Sequence, residues 1–458
     1  MPVESSALCF RGENGRDEFG REQIADKVIS LLTSDIDISP MVIDGHWGTG
    51  KSEFCHKLIN KFRESHPQHR LLYVDAFQAD HANNPLMTIL AEVMSLLPEG
   101  DTKRSFLQKA VPVARYSIKT ALKAGVSHLL RANADDIADG LDEHLQEAAN
   151  TAIDASVLAV LKDHEKAEEN LKALQHTLAD LASGSPIILF IDELDRCRPD
   201  FAVQMLEVIK HTFNVDGVQF VLITNTNQLR AAINHCYGPL VDAQRYLDKF
   251  LKFSFRLPEY LPGTGEEQAL AAVQHFRNLV RQSPLLQDTN LTDFGDGLYG
   301  FTTLLISHNR LSLREVETFV RHLEIFQRLS QGMKSTIIFG HQLLRVFGVF
   351  VFCFASDVEE SIRSNKADAT RIAELLGLDA LPDSESDRYR LLHTDVIAVL
   401  LAKACAFNQE KYQATSDEAQ QYWNQRFHSF FEHRIPVDGE QFRSVKLAIN
   451  CLSLGGRT

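Results

Sequence analysis

A short apolar run, Met41-Val42-Ile43, gives way to Asp44-Gly45-His46-Trp47-Gly48-Thr49-Gly50-Lys51-Ser52, and a helical pattern follows from Glu53 to Phe62. The order is strand, loop, helix. Gly45, Gly50, Lys51 and Ser52 stand at the spacing of a phosphate-binding P-loop. Glycines let successive backbone N–H groups turn inward around an anion, and the helix N-terminus adds its partial positive charge. Lys51 is the candidate for the β- and γ-phosphates, and the Ser52 hydroxyl for the shell of a Mg²⁺ ion. His46, Trp47, Gly48 and Thr49 in the loop, and Glu53 in the first helical turn, complete the candidate nucleotide-binding set. The pattern alone recurs by chance in long chains; its setting between a strand and a helix gives it weight.

A second signature lies downstream. Pro186–Ile191 is continuously apolar, as a strand buried on both faces of a parallel sheet requires, and it ends in Asp192-Glu193-Leu194-Asp195-Arg196. Nucleotide hydrolysis needs one carboxylate near the metal and another to orient or deprotonate the attacking water. Asp192 suits the first role and Glu193 the second. The plainer alternative is a polar strand end followed by a helix cap. A third strand is predicted over Val218–Thr224, after a helix from Pro199 to Phe213 and a turn at Asp216-Gly217. It ends at Asn225, which reads as a γ-phosphate sensor or as a cap of the next helix.

Together these motifs resemble the KAP family of P-loop NTPases. The tryptophan-containing loop carries the likeness, with Phe190–Cys197, Val221–Asn225, Tyr246–Phe250 and Phe253–Pro258. Val74-Asp75-Ala76-Phe77 and Phe19-Gly20-Arg21-Glu22 are similar to further family segments, the second of which often lies near the adenine in related ATPases. The resemblance runs from about residue 15 to about residue 325 and weakens between about 100 and 180. It implies an α/β fold with a parallel P-loop NTPase sheet, the strand ending at Asn225 lying between the other two. It also implies an inserted helical hairpin, a helical lid and a mainly helical C-terminal domain. ATP and Mg²⁺ are the implied ligands and ATP hydrolysis the implied activity. Arg314, in Ser312–Glu317, falls where the family puts an Asn-Pro-Arg-like segment and is a second phosphate-sensing candidate. Arg245, Lys249 and Arg256 are candidates for a charge donated across a subunit interface, so a homo-oligomer is expected. The family's bacterial branch includes phage-exclusion proteins, which implies an antiviral setting.

One departure is clear. Many family members carry paired transmembrane helices, but no segment here approaches the about 20 apolar residues of a span. Val346–Ala355 is half that length and reads as a buried core helix. No N-terminal signal pattern is seen in Met1–Arg16. The seven cysteines are scattered without metal-ligand spacing, which argues for free thiols and a cytoplasmic protein. A net charge of −14 speaks against a broad nucleic-acid-binding surface, leaving only a local basic groove as a place for one.

The remaining chain reads as helices. Apolar residues at helical spacing run over Lys103–Arg131, where Arg115, Lys119 and Lys123 share a face, and again over Val157–Leu181. Glu266–Gln282, Asn290–Leu298 and Arg314–Leu329 read as the lid. Tyr389–Ala406 and Gln420–His433 read as amphipathic helices beyond a linker at Leu381–Asp387. The expected organisation is a first core half over 1–100, an insert over 101–182, a second core half over 183–262, a lid over 263–334 and a C-terminal domain over 335–458. A protein partner is expected at the insert or the C-terminal domain. Two functions fit: an ATPase working as a regulated switch or motor in an assembly, and a nucleotide-holding scaffold that recruits a separate effector.

Overall fold

The computed structural model describes residues 8–454 apart from 13–14, 83, 98–99, 101–102, 104–105, 107–168, 170, 263–269, 296, 383–390, 433 and 437–439. The chain divides into two units. The first takes in most of the chain up to Leu257. The second comprises Glu18–Gly20, Trp47–Thr49 and everything from Pro258 onward.

A five-stranded sheet organises the first unit, in the order β2-β3-β4-β1-β5. The strands are β1 (Met41–Asp44), β2 (Arg70–Asp75), β3 (Ile187–Asp192), β4 (Val218–Thr224) and β5 (Phe253–Arg256), and every pairing is parallel. The β4 strand lies between β1 and β3, as the resemblance implied. Successive side chains leave a strand on opposite faces. Accordingly Met41, Ile43, Ile188, Phe190, Val221 and Ile223 join one core with α1 (Glu22–Leu32) and α2 (Lys51–Ser65). Val42, Ile187, Leu189, Ile191 and Leu222 join the core on the other face, with the helices Pro85–Ser95, Pro199–Thr212 and Thr226–Tyr237. Burial on both faces explains why β1 and β3 are apolar without alternation. Their first polar residues therefore come where the strands end, and there the chemistry collects. The predicted insert lies almost wholly outside the described residues. Its end, 171–183, is helical, with Leu174 and Leu178 buried in the second of these cores.

The second unit is helical. One apolar core runs through it from Ala271 to Leu452. The helix Phe339–Phe354 takes in all but the last residue of the predicted 346–355 core segment. Among the described residues no helix is long and apolar enough to cross a membrane. Gly348 permits a close crossing: a Cβ there would stand 2.7 Å from the Val445 carbonyl and 2.9 Å from the Ala448 methyl. The helix Arg443–Leu452 can thus lie directly against Phe339–Phe354. Some helix limits differ from the sequence reading. Residues Asn290–Thr292 form only a single 3₁₀ turn, and the helix there is Leu298–His308. The helix His393–Ala402 has no polar face, since Thr394 and every residue from Val396 to Ala402 are buried. None of the seven cysteines forms a disulfide.

Candidate functional site

The candidate site forms where β1 and β3 end. Asp44, the last residue of β1, is buried and accepts hydrogen bonds from the Thr226 amide (2.9 Å), the Thr226 hydroxyl (3.0 Å) and Arg256 Nε (3.2 Å). Burial works against its charge, but the Thr226 bonds and Arg256 outweigh it and lower the carboxyl pKa. The loop that follows turns through Gly48 (φ 79°) and Gly50 (φ 78°), both left-handed, and Gly50 is the N-cap of α2. Lys51 folds back over this loop: its ammonium donates to the carbonyls of Gly45 (2.7 Å) and His46 (3.0 Å). Burial lowers its pKa, against the opposing fields of Asp195, Asp192 and Asp44. The head group thus waits in a low-dielectric place, bonded to neutral oxygens that a phosphate would outcompete. Glu53 is turned to Lys57 (2.7 Å) and lies 3.9 Å from Arg16.

Asp192 ends β3 at 1% exposure. It accepts from the Glu193 amide (2.8 Å), the Tyr73 hydroxyl (3.1 Å) and the Ser52 hydroxyl. Burial raises its pKa despite these bonds. Among the described residues no group of three or more His, Cys, Asp or Glu could hold a metal. The oxygen pair of Ser52 and Asp192 nevertheless fits Mg²⁺, which usually takes one or two protein oxygens and completes its shell with water and substrate phosphates.

Glu193 adopts the left-handed conformation (φ 58°, ψ 24°), a costly one for a side-chain-bearing residue that is met at functional sites. Its carboxylate pairs with Arg196 Nη1 at 2.9 Å. Burial raises its pKa, Arg196 opposes this, and Asp192, Asp75 and Asp195 add to the rise. Asp195 accepts from the Thr224 hydroxyl at 3.1 Å. Asn225 is buried and caps the helix Thr226–Tyr237, its Oδ1 accepting from the Asn227 amide at 3.1 Å. Arg245 lies apart, 85% exposed on the short helix Ala243–Leu247 and 3.3 Å from Asp242. Lys249 is exposed as well.

In the second unit the loop apex meets a helix start. The Gly48 carbonyl accepts from the Arg314 amide at 3.4 Å. Ser312 and Glu315 close a capping box on the helix Leu313–Ser330. The Arg314 side chain is exposed. A Cβ on Gly48 would come within 2.6 Å of Ser312 Oγ. Gly48→Ala should therefore cost about 1–2 kcal/mol from its left-handed backbone alone, before any clash. Urea unfolding of the full chain reads this as an earlier midpoint; an unchanged midpoint would mean that the loop does not hold Gly48 in its left-handed conformation. Also in this unit, His275 bridges Glu18 (2.9 Å) and Glu317 (3.2 Å).

Sequence reasoning named Lys51, Ser52, Asp192 and Glu193 as candidates but not the residues they bond in the structure. Tyr73, Thr224, Thr226 and Arg196 were not assigned. Tyr73 reaches Asp192 because β2 and β3 pair in parallel with Asp75 opposite Asp192, a register that no local pattern reveals.

The sequence model of the KAP family P-loop domain matches residues 21–330. No match to a curated protein is found. Among solved structures, the Aeropyrum pernix ORC2 protein in its ADPNP-ADP complexes is similar at 13% identity, over 95% of this chain and 86% of that one, with a TM-score of 0.29.

Proposed function

Because the chain belongs to the KAP family of P-loop NTPases, we propose that it binds ATP with Mg²⁺ and hydrolyses it as a regulated switch or motor within an assembly. One observation above all supports this reading. The Ser52 hydroxyl, at the start of α2, bonds the buried Asp192 carboxylate at the end of β3, and Glu193 follows it directly. Lys51 exchanges the Gly45 and His46 carbonyls for the β- and γ-phosphates. Loop residues His46 to Gly50 supply backbone donors. Ser52 and Asp192 would hold the metal, which when bound would neutralise charge on the transferring phosphoryl group. Glu193, parted from Arg196, orients the attacking water and takes its proton. Its raised pKa suits a base. Asn225 senses the γ-phosphate.

Arg314, whose amide bonds the Gly48 carbonyl at the loop apex, is the second phosphate-sensing residue in this reading. In this reading residues 1–100 and 183–262 are the two halves of the core, 101–182 the insert, 263–334 the lid and 335–458 the partner-recruiting domain. A cytoplasmic role in anti-phage defence is the setting we infer from the bacterial branch of the family.

A second reading has support of its own. Glu193 is engaged by Arg196 and Asn225 Oδ1 by its helix, as in a protein that holds nucleotide and recruits an effector with little turnover. Phosphate release by the purified full chain with ATP, with and without Mg²⁺, separates the two. Metal-dependent turnover is expected; retained nucleotide without turnover would select the scaffold.

Assembly is the remaining part of the proposal. Arg256 is tied to Asp44 of its own chain, whereas Arg245 is held only by an exposed pair with Asp242, worth at most about 1 kcal/mol. Arg245 is thus the readier arginine to reach a neighbour's γ-phosphate. The ATPase rate per subunit should rise between nanomolar and micromolar protein, and Arg245→Ala should lower it while leaving ATP affinity intact. A flat rate from a species that light scattering shows to be monomeric would overturn donation between subunits.

A further inference from the structure

A cleft in the second unit has no part in the reading above. It encloses about 370 Å³ where the helix Phe339–Phe354 meets the segment 434–436 and the start of the helix Arg443–Leu452. Arg345, Arg434, Arg443 and His341 line it, with Glu440 as the acidic lining residue among those described. In a chain of net charge −14 this is an unusual concentration of positive charge.

The groups in it are only partly satisfied. Arg345 spends one nitrogen, Nη1, on the Gly332 carbonyl at 2.6 Å. Its Nε is buried and has no hydrogen-bond partner. A guanidinium has a second edge, Nε with Nη2, suited to a planar pair of oxygens. An orphaned buried donor of this kind costs free energy until an acceptor arrives. Arg443 is 78% exposed and lies 3.6 Å from Glu440, a loose contact that leaves most of its fork available. His341 is fixed by a 3.0 Å contact with Ser444 Oγ and an edge-on packing against Phe431. Burial lowers its pKa, and Arg345 and Arg443 lower it further. Burial lowers that of Arg345 too. Both shifts mark an interior short of negative charge. The first turn of Arg443–Leu452 adds the positive end of a helix dipole.

We propose that this cleft binds a small phosphorylated molecule, its phosphate held by Arg345, Arg434 and Arg443. Three guanidiniums lining one cleft match a dianion with several acceptor oxygens better than a single carboxylate. The volume lies in the range of about 300–1,000 Å³ usual for small-ligand pockets. Leu447 and Ile435 supply apolar wall for the rest of the molecule. The acidic chain as a whole disfavours a nucleic-acid polymer, whose binding needs an extended basic surface.

The test is calorimetric titration of the full-length protein with inorganic phosphate and, in parallel, with glycerol 3-phosphate. It is run on the natural chain and on Lys51→Ala, which silences the P-loop. One equivalent of probe should bind to Lys51→Ala, and at least as much to the natural chain. Tighter glycerol 3-phosphate would mark an organic monoester as the ligand, and equal affinity the phosphate group alone. Replacing the accessible pair, Arg434→Gln with Arg443→Gln, should weaken binding by about ten- to hundredfold without moving the melting point. Arg345→Lys, which keeps the charge but loses the fork, should weaken it as well. Affinity unchanged in the double variant would overturn the proposal, as would binding that vanishes in Lys51→Ala. Displacement of phosphate by a single-stranded oligonucleotide lacking terminal phosphates, itself lost in the double variant, would replace the small ligand with a polymer.

Discussion

Lys51→Ala abolishes tight binding of ATP with Mg²⁺, an expected loss of about 10²-fold or more for a charge-assisted contact to phosphate in a partly desolvated site. The geometry makes this more than the loss of one bond. Lys51 stands among Asp195, Asp192 and Asp44, whose fields favour its ammonium form. Without that cation the site presents uncompensated carboxylates to an incoming polyanion. The Gly45 and His46 carbonyls, which Lys51 now occupies, would also face the phosphates bare. Fluorescent-nucleotide titration of the two proteins measures the effect, with thermal unfolding to confirm that the variant is folded. Equal affinity would sink the assignment of the loop.

Glu193→Gln keeps nucleotide bound and slows hydrolysis by about 10²-fold or more, as loss of a general base does. The pH profile adds a check that binding cannot mimic. Burial raises the Glu193 pKa, with Asp192, Asp75 and Asp195 adding to it against Arg196. The base must be ionised to work, so native turnover should fall as pH drops through a range above that of an ordinary glutamate. In the glutamine variant this acidic limb disappears. The sign for stability is opposite to that of a carboxylate whose pKa is lowered on folding. A group whose folded pKa is raised binds its proton more tightly when folded, so ionised Glu193 weakens the fold and acidification through that range relieves it. The Glu193→Gln protein should therefore be no less stable than the natural chain at neutral pH. Native-rate hydrolysis by the variant would shift the role of base to Asp195, already engaged with Thr224.

The sheet could be read from the sequence because strands buried on both faces leave a local mark. Ile187–Ile191 and Val218–Ile223 are apolar almost throughout, and the catalytic candidates sit at the polar positions that end such runs. The loop was legible for a similar reason: Gly48 and Gly50 meet a backbone demand that few other residues satisfy. What stayed hidden depends on encounters between distant segments. Arg196 is only a helical turn from Glu193, yet nothing in the sequence says that the two pair rather than diverge. The Tyr73 bond to Asp192 needs the β2–β3 register. His393–Ala402 shows how a burial pattern misleads: packed between Ala369–Leu376 and Asp417–Phe431, it has no solvent face to give it a period. The arginines of the second-unit cleft come from segments far apart in the chain, so composition showed only scattered charge.

The apolar core of the second unit bears on how the gene for such a protein can be cut and joined. The family's sequence signature stops at residue 330, but the core does not: Phe319 and Phe326 share one cluster with Phe347, Phe350 and Val445. At the other end the signature begins at residue 21, after Glu18, so a fragment with those limits leaves His275 with Glu317 as its one remaining carboxylate bridge. The segment inherited as a recognisable unit is therefore not one that can be transplanted by itself. Recombination that exchanges the C-terminal helices must also supply a matching face for Leu313–Ser330, which ties diversification of the C-terminal end to that of the helix whose first turn holds Gly48.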